Sequence, residues 1–312
     1  MILTGLVIVL MALSAAACST GTSASMQEGA EQESVEQEDA ESQEWPSLTP
    51  DGQPDIQGIW ATGSGGGTMT LEAREYLAEQ GMDSNVMSTS LLAETRPPPV
   101  RIAEGEPPPL NSAVVIDPED RVLPYQPWAR ERRNEVLRNF GTPNPAQMDT
   151  QARGWPHGVP RIHAYTSHDG SIGGPFQILQ PPGYVVFLYE INHEFRVVPL
   201  DDRPHPGEDI KLWMGDSRGR WEGNTLIIET TNHNDSTRLT IVGDFHSDEM
   251  VVTEEWEFFS QDRIEYRATI DDPQVYTAPW TIGMTLTRGL PGTELLEYAG
   301  VEGEQSELIM PR

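Results

Sequence analysis

Cysteine is all but missing from this 312-residue chain, where Cys18 stands alone. No internal disulfide and no thiolate metal cluster can form. Positive charge is scarce too: Lys and Arg number 20 against 49 Asp and Glu, a formal net charge of -29. Phosphate binding needs clustered Lys and Arg, so the balance disfavours nucleic acid and anionic membrane surfaces as partners. Its acidity favours solubility. There is no internal repeat, no nucleotide fingerprint, no H-E-x-x-H metal motif and no G-x-S-x-G elbow. Gly63 to Gly67 is glycine-rich, but no lysine and helix follow, so it reads as a plain loop rather than a phosphate cradle.

The N-terminal stretch carries the targeting information. Leu6 to Leu13 is apolar and too short to span a bilayer as a helix, and Ser14 to Ala17 are small. The segment 1–17 has the form of a signal peptide. Small residues directly before Cys18 resemble the cleavage box of bacterial lipoproteins, which implies a lipidated Cys18 anchored in the outer membrane, facing the periplasm or exterior. Several acyl chains anchor stably where one does not. Ser19 to Glu44 holds acids without basic partners and almost nothing apolar. It is expected to remain a disordered tether, because it cannot bury enough surface to offset chain entropy.

Residues 45–312 then read as one β-rich domain of about 265 residues, within the size of a single all-β domain. Its first part, 45–153, is irregular and rich in proline. Arg96 to Pro109 is the densest stretch and is expected to be extended. Thr70 to Gln80, ending at Gly81, predicts a short helix, and Pro127 to Phe140 predicts a better one with proline at its first turn. In the second helix Trp128, Val136, Leu137 and Phe140 form the expected apolar stripe, leaving Arg130, Arg132, Arg133 and Arg138 on a solvated face.

From Gly154 onward the period becomes two. Expected strands are 176–179, 184–190, 194–200, 210–214, 225–231, 238–242, 251–260, 263–270, 281–287 and 295–299. Ile191-Asn192-His193 and Gln261-Asp262 are hairpin tips. Glu222-Gly223-Asn224 is a tight turn joining Ile210–Met214 to Thr225–Thr231. On 251–260, Val252, Glu254, Trp256 and Phe258 share one face. The regular spacing predicts a mainly β chain: an antiparallel β-barrel or sandwich, lipocalin-like in plan, with one or two short N-terminal helices.

The run WMGDSRGRWEGNTLIIETT, residues 213–231, with PDGQPDIQGIW at 50–60, resembles a large group of exported bacterial proteins without an established activity. The resemblance spans roughly Pro50 to Trp280. It implies one β-rich domain and transfers no catalytic residue. The group's pattern places a cysteine where this chain has Gly154, and an aromatic or small residue where it has His233.

Three functions suit this reading. One is a barrel that binds a small, partly apolar molecule, with Trp213, Trp221, Tyr189 and Trp256 as wall rings and Glu190 and Arg196 as polar contacts. Glu190 and Arg196 flank the 191–193 tip, where a cross-strand ion pair is the ordinary expectation. The second is a hydrolase, lyase or isomerase using His246 with Asp216 and Asp235 at the barrel mouth. The third is a structural part of an envelope complex. All seven histidines lie between His157 and His246. His193, His205, His233 and His246 are the ones to test as metal ligands, but no ligand spacing supports a metal, and no cofactor is implied.

Overall fold

The structure, a computed structural model, describes residues 46–62, 71–72, 74–81, 114–139, 155–164, 175–240 and 242–296. The leader, Cys18, the acidic tether, the glycine loop 63–67, the proline-dense stretch 96–109, Gly154 and His168 lie outside the described residues. Ten strands occur: β1 (Gly58–Thr62), β2 (Val115–Asp117), β3 (Phe176–Leu179), β4 (Tyr184–Tyr189), β5 (Phe195–Pro199), β6 (Asp216–Glu222), β7 (Thr225–Thr231), β8 (Val251–Ser260), β9 (Arg263–Asp271) and β10 (Trp280–Arg288). Among the described residues three helices accompany them: α1 (Arg74–Glu79), α2 (Pro127–Arg138) and α3 (Arg161–Ala164).

The strands make one antiparallel sheet in the order β5-β4-β3-β1-β10-β9-β8-β7-β6, with β2 added on β10. The sheet curls into a nearly closed barrel. Alternation around this path leaves its two end strands, β5 and β6, pointing the same way, so no hairpin can join them. They lie side by side without a backbone ladder. Side chains close the seam instead. Arg196 Nε donates to Ser217 Oγ at 2.8 Å, and Gly219 is pressed so tightly that a Cβ there would meet Val198 Cγ1 at 2.7 Å.

Inward residues stack in layers set by register. Leu226, Trp256, Tyr266 and Met284 form one layer, and Ile228, Glu254, Ala268 and Ile282 the next. Thr230, Val252, Ile270 and Trp280 form a third. Trp60, Trp256 and Trp280 are fully buried, and burying each such side chain contributes on the order of 1.5–3 kcal/mol. The interior is therefore packed with side chains, and one of them is a carboxylate.

Strands β3, β7 and β8 have the expected bounds, and β4, β5, β9 and β10 differ by a residue or so at their ends. The segment 210–214 is not a strand. Leu212 makes only a parallel bridge to His233, and Ile210 and Leu212 are exposed. The partner of β7 is the polar stretch DSRGRWE, joined through a two-residue turn in which Gly223 has φ +62. Its inward positions are Ser217, Gly219 and Trp221, and the first two are kept small by the approach of β5, so they leave no apolar alternation to read. Among the described residues of 238–242 only a bridge from Arg238 to Phe245 forms, and 295–296 is irregular; residues 241 and 297–299 lie outside the described residues.

In α2, Pro127 opens the helix as expected, but the stripe is different. Trp128 is 53 % exposed while Arg133 is fully buried. Arg133 points away from solvent because it meets Glu72 at 2.6 Å and Asp244 at 3.6 Å.

Candidate functional site

The site grows from β8. Its alternation turns Glu254 inward between Ile228 and Ala268, where a carboxylate has no water to solvate it. Its counter-ion comes across the seam. Arg196 on β5 faces inward and donates through Nη2 to Glu254 Oε2. Nη2 also donates to Thr230 Oγ1 at 2.6 Å, while Nε holds Ser217. Tyr266 on β9 donates its hydroxyl to Glu254 Oε1 at 2.9 Å.

Helix α3 supplies the centre. Gly158, at φ +74, brings the chain against Thr237 and starts the turn that becomes α3. From α3, His163 enters the barrel among Phe176, Phe187, Tyr189, Trp256 and Tyr266, with ring centroids 4.7 to 5.7 Å away. Its Nε2 lies 3.2 Å from Arg196 Nη1, 3.3 Å from Glu254 Oε1 and 3.2 Å from the Tyr189 hydroxyl. Burial pushes the His163 imidazole down, so it is neutral at physiological pH. Burial alone would raise Glu254, but the Arg196 guanidinium and the contact with His163 outweigh it and hold the carboxyl at about 2. The cluster is one cation and one anion, net zero, ringed by aromatic faces. Burying these ions costs several kcal/mol each, offset by their mutual attraction and hydrogen bonds.

Of the six residues expected to bind a ligand, Tyr189, Trp256 and Arg196 converge here. The others do not. Trp213 is half-buried against Trp155 at 5.3 Å. Trp221 sits on Phe258 and donates to Gln53 Oε1 at 3.0 Å. Glu190 does not pair with Arg196. It accepts from the Leu296 backbone instead, because Tyr189 takes the inward position at the end of β4.

The three residues expected to be catalytic are not joined by hydrogen bonds. His246 is buried, with Nε2 2.6 Å from Thr237 Oγ1 and Nδ1 2.8 Å from the Ser247 carbonyl. Asp216 meets His205 Nδ1 and Arg218 Nη1, each at 2.7 Å. Asp235 is exposed. Among the described residues no set of three or more His, Cys, Asp and Glu side chains is placed to hold a metal ion.

Sequence reasoning passed over Glu254 and His163, the two residues at the centre. Glu254 left a signal, an acid on the same face as Val252, Trp256 and Phe258. His163 left none, since only the fold returns α3 to the barrel. Searches of protein-family profiles, curated proteins and solved structures match nothing to this chain.

Proposed function

We propose that this is an exported lipoprotein, anchored through Cys18, whose barrel binds a small, partly apolar molecule. One observation carries the reading: Tyr189, Trp256 and Arg196, from three different strands, meet around Glu254 and His163 inside the barrel. Aromatic walls with a few convergent polar groups are the usual make-up of a small-molecule site. The imidazole of His163 fills the middle of this one, so a ligand enters by displacing α3, a helix of four residues. The catalytic alternative has less support, because His246 and Asp216 hydrogen-bond to different partners.

The test uses phenylnaphthylamine, an uncharged fluorophore, with the purified chain. Saturable binding at one site, with transfer of excitation from Trp256, is expected, and the transfer should fall in Trp256→Phe. Non-saturable binding, or saturation with undiminished transfer in that variant, would sink the reading. The anchor is tested separately: Cys18→Ser should move the protein from the membrane fraction to the soluble one.

A further inference from the structure

The cluster also restricts what the ligand can be, an argument that rests on the binding proposal. Arg196 brings five N–H donors. Nε uses Ser217, Nη2 uses Thr230 and Glu254, and Nη1 meets His163, with the Tyr189 hydroxyl a further partner of the guanidinium. Trp256 is fully buried, and its Nε1–H has no acceptor among the described residues. Both oxygens of Glu254 already accept. The interior thus has a surplus donor in the Trp256 indole, no surplus charge, and a flat ring at its centre.

We infer that the ligand is an uncharged, planar aromatic molecule bearing a carbonyl, of the aryl carboxamide class, which takes the place of the His163 ring. Its oxygen accepts from the Trp256 indole N–H. Its amide N–H replaces the imidazole beside Glu254 Oε1. An anionic ligand would meet an arginine already neutralised, and a cationic one a carboxylate already neutralised. Each would bring an unpaired charge into a dry interior, which costs far more than burying a satisfied amide.

Three probes of one size decide the matter: benzamide, benzoate and benzylamine, titrated calorimetrically against the full chain at neutral pH. Benzamide is expected to bind at least about tenfold more tightly than either ion, about 1.4 kcal/mol of difference. Trp256→Phe, which keeps the ring and removes the donor, should weaken benzamide about fivefold, the size of one hydrogen bond. His163→Ala should tighten it, because the competing imidazole is gone. Tightest binding by benzoate or benzylamine overturns the ligand class while the binding proposal stands. Unchanged benzamide affinity in His163→Ala overturns the placement. Failure of all three probes where phenylnaphthylamine still saturates overturns this inference alone; failure of every probe takes the binding proposal with it.

Discussion

Three arginines are buried among the described residues, and two of them, Arg196 and Arg133, are held in opposite ways. Arg196 lies on a strand, and its partners Ser217, Thr230 and Glu254 come from the adjoining strands β6, β7 and β8. Strand positions repeat at a fixed spacing, so each N–H can be aimed at one acceptor. Arg133 lies on a helix, between Glu72 beside α1 and Asp244 in the loop before β8. It is 2.6 Å from Glu72, yet none of its nitrogens has hydrogen-bond alignment with a partner among the described residues. Helix and loop bring opposite charges close, but do not direct them.

The charge balance differs as well. The inner cluster has one carboxylate per guanidinium. The outer one has two, and burial raises Glu72, although Arg133 pulls against it. Asp244 faces Arg133 at 3.6 Å and accepts hydrogen bonds from Tyr125 at 2.7 Å and Thr240 at 2.6 Å. Glu72 in the outer cluster takes a proton more readily than Glu254 in the inner one.

The largest effect should come from halving the inner pair. Glu254→Leu strands Arg196 in the interior and is expected to cost about 3–5 kcal/mol in urea denaturation. The double variant Arg196→Met/Glu254→Leu should recover most of that. A single-variant cost under about 1 kcal/mol would remove the distinction drawn between the two sites.

Acid comes next, and the two clusters respond with opposite sign. Glu254 is held at about 2 against an ordinary 4.5, so its stabilisation is complete above pH 4.5 and is lost as pH falls toward about 2. Glu72 is raised, so the folded chain takes its proton first and acidification favours folding across that window. His233 acts earlier. Burial, then repulsion from His246, holds it at about 3 against 6.5, so the unfolded chain protonates first and stability falls as pH drops through that interval. The slope is at most about 1.4 kcal/mol per pH unit for each group. Melting temperatures of Glu254→Gln should stop falling between pH 4.5 and 2 relative to the native chain. Parallel curves there would refute the assignment.

A smaller effect tests the seam. Gly219→Ala would put its methyl 2.7 Å from Val198 and 2.9 Å from Leu200. Overpacking of this kind costs about 1–3 kcal/mol, and a neutral result would mean that β5 and β6 are not in tight contact. The smallest change belongs to the outer cluster. Glu72→Gln should cost less than Glu254→Leu, because Asp244 still faces Arg133 and the amide oxygen can still accept from the Leu123 N–H.

The sheet was legible where both faces of a strand differ in polarity. Val252 to Phe258 alternate so clearly that β8 could be read to the residue, and Glu254 was already on its inner face. Ser217 and Gly219 hid β6, because small inward residues leave no hydrophobic period. The apolar alternation of Ile210, Leu212 and Met214 misled in the opposite sense: it lies in the connection that carries the chain along the barrel from β5 to β6. Arg196, Tyr189 and Trp256 were recognisable as residues too costly or too large to place idly. Their partner His163 carried no such mark, since its place depends on where α3 lands.

Residue order by itself determined which side chains of strands such as β8 leave water, because alternation is local and needs only neighbours two apart. It also determined the net acidity and the lone Cys18. Only the tertiary structure decided which buried charges meet. Arg196, Glu254 and His163 belong to β5, β8 and α3, and they share one interior because the sheet closes on a seam between parallel neighbours. That closure depends on the twist and register of every strand in the ring, so no short stretch of sequence records it.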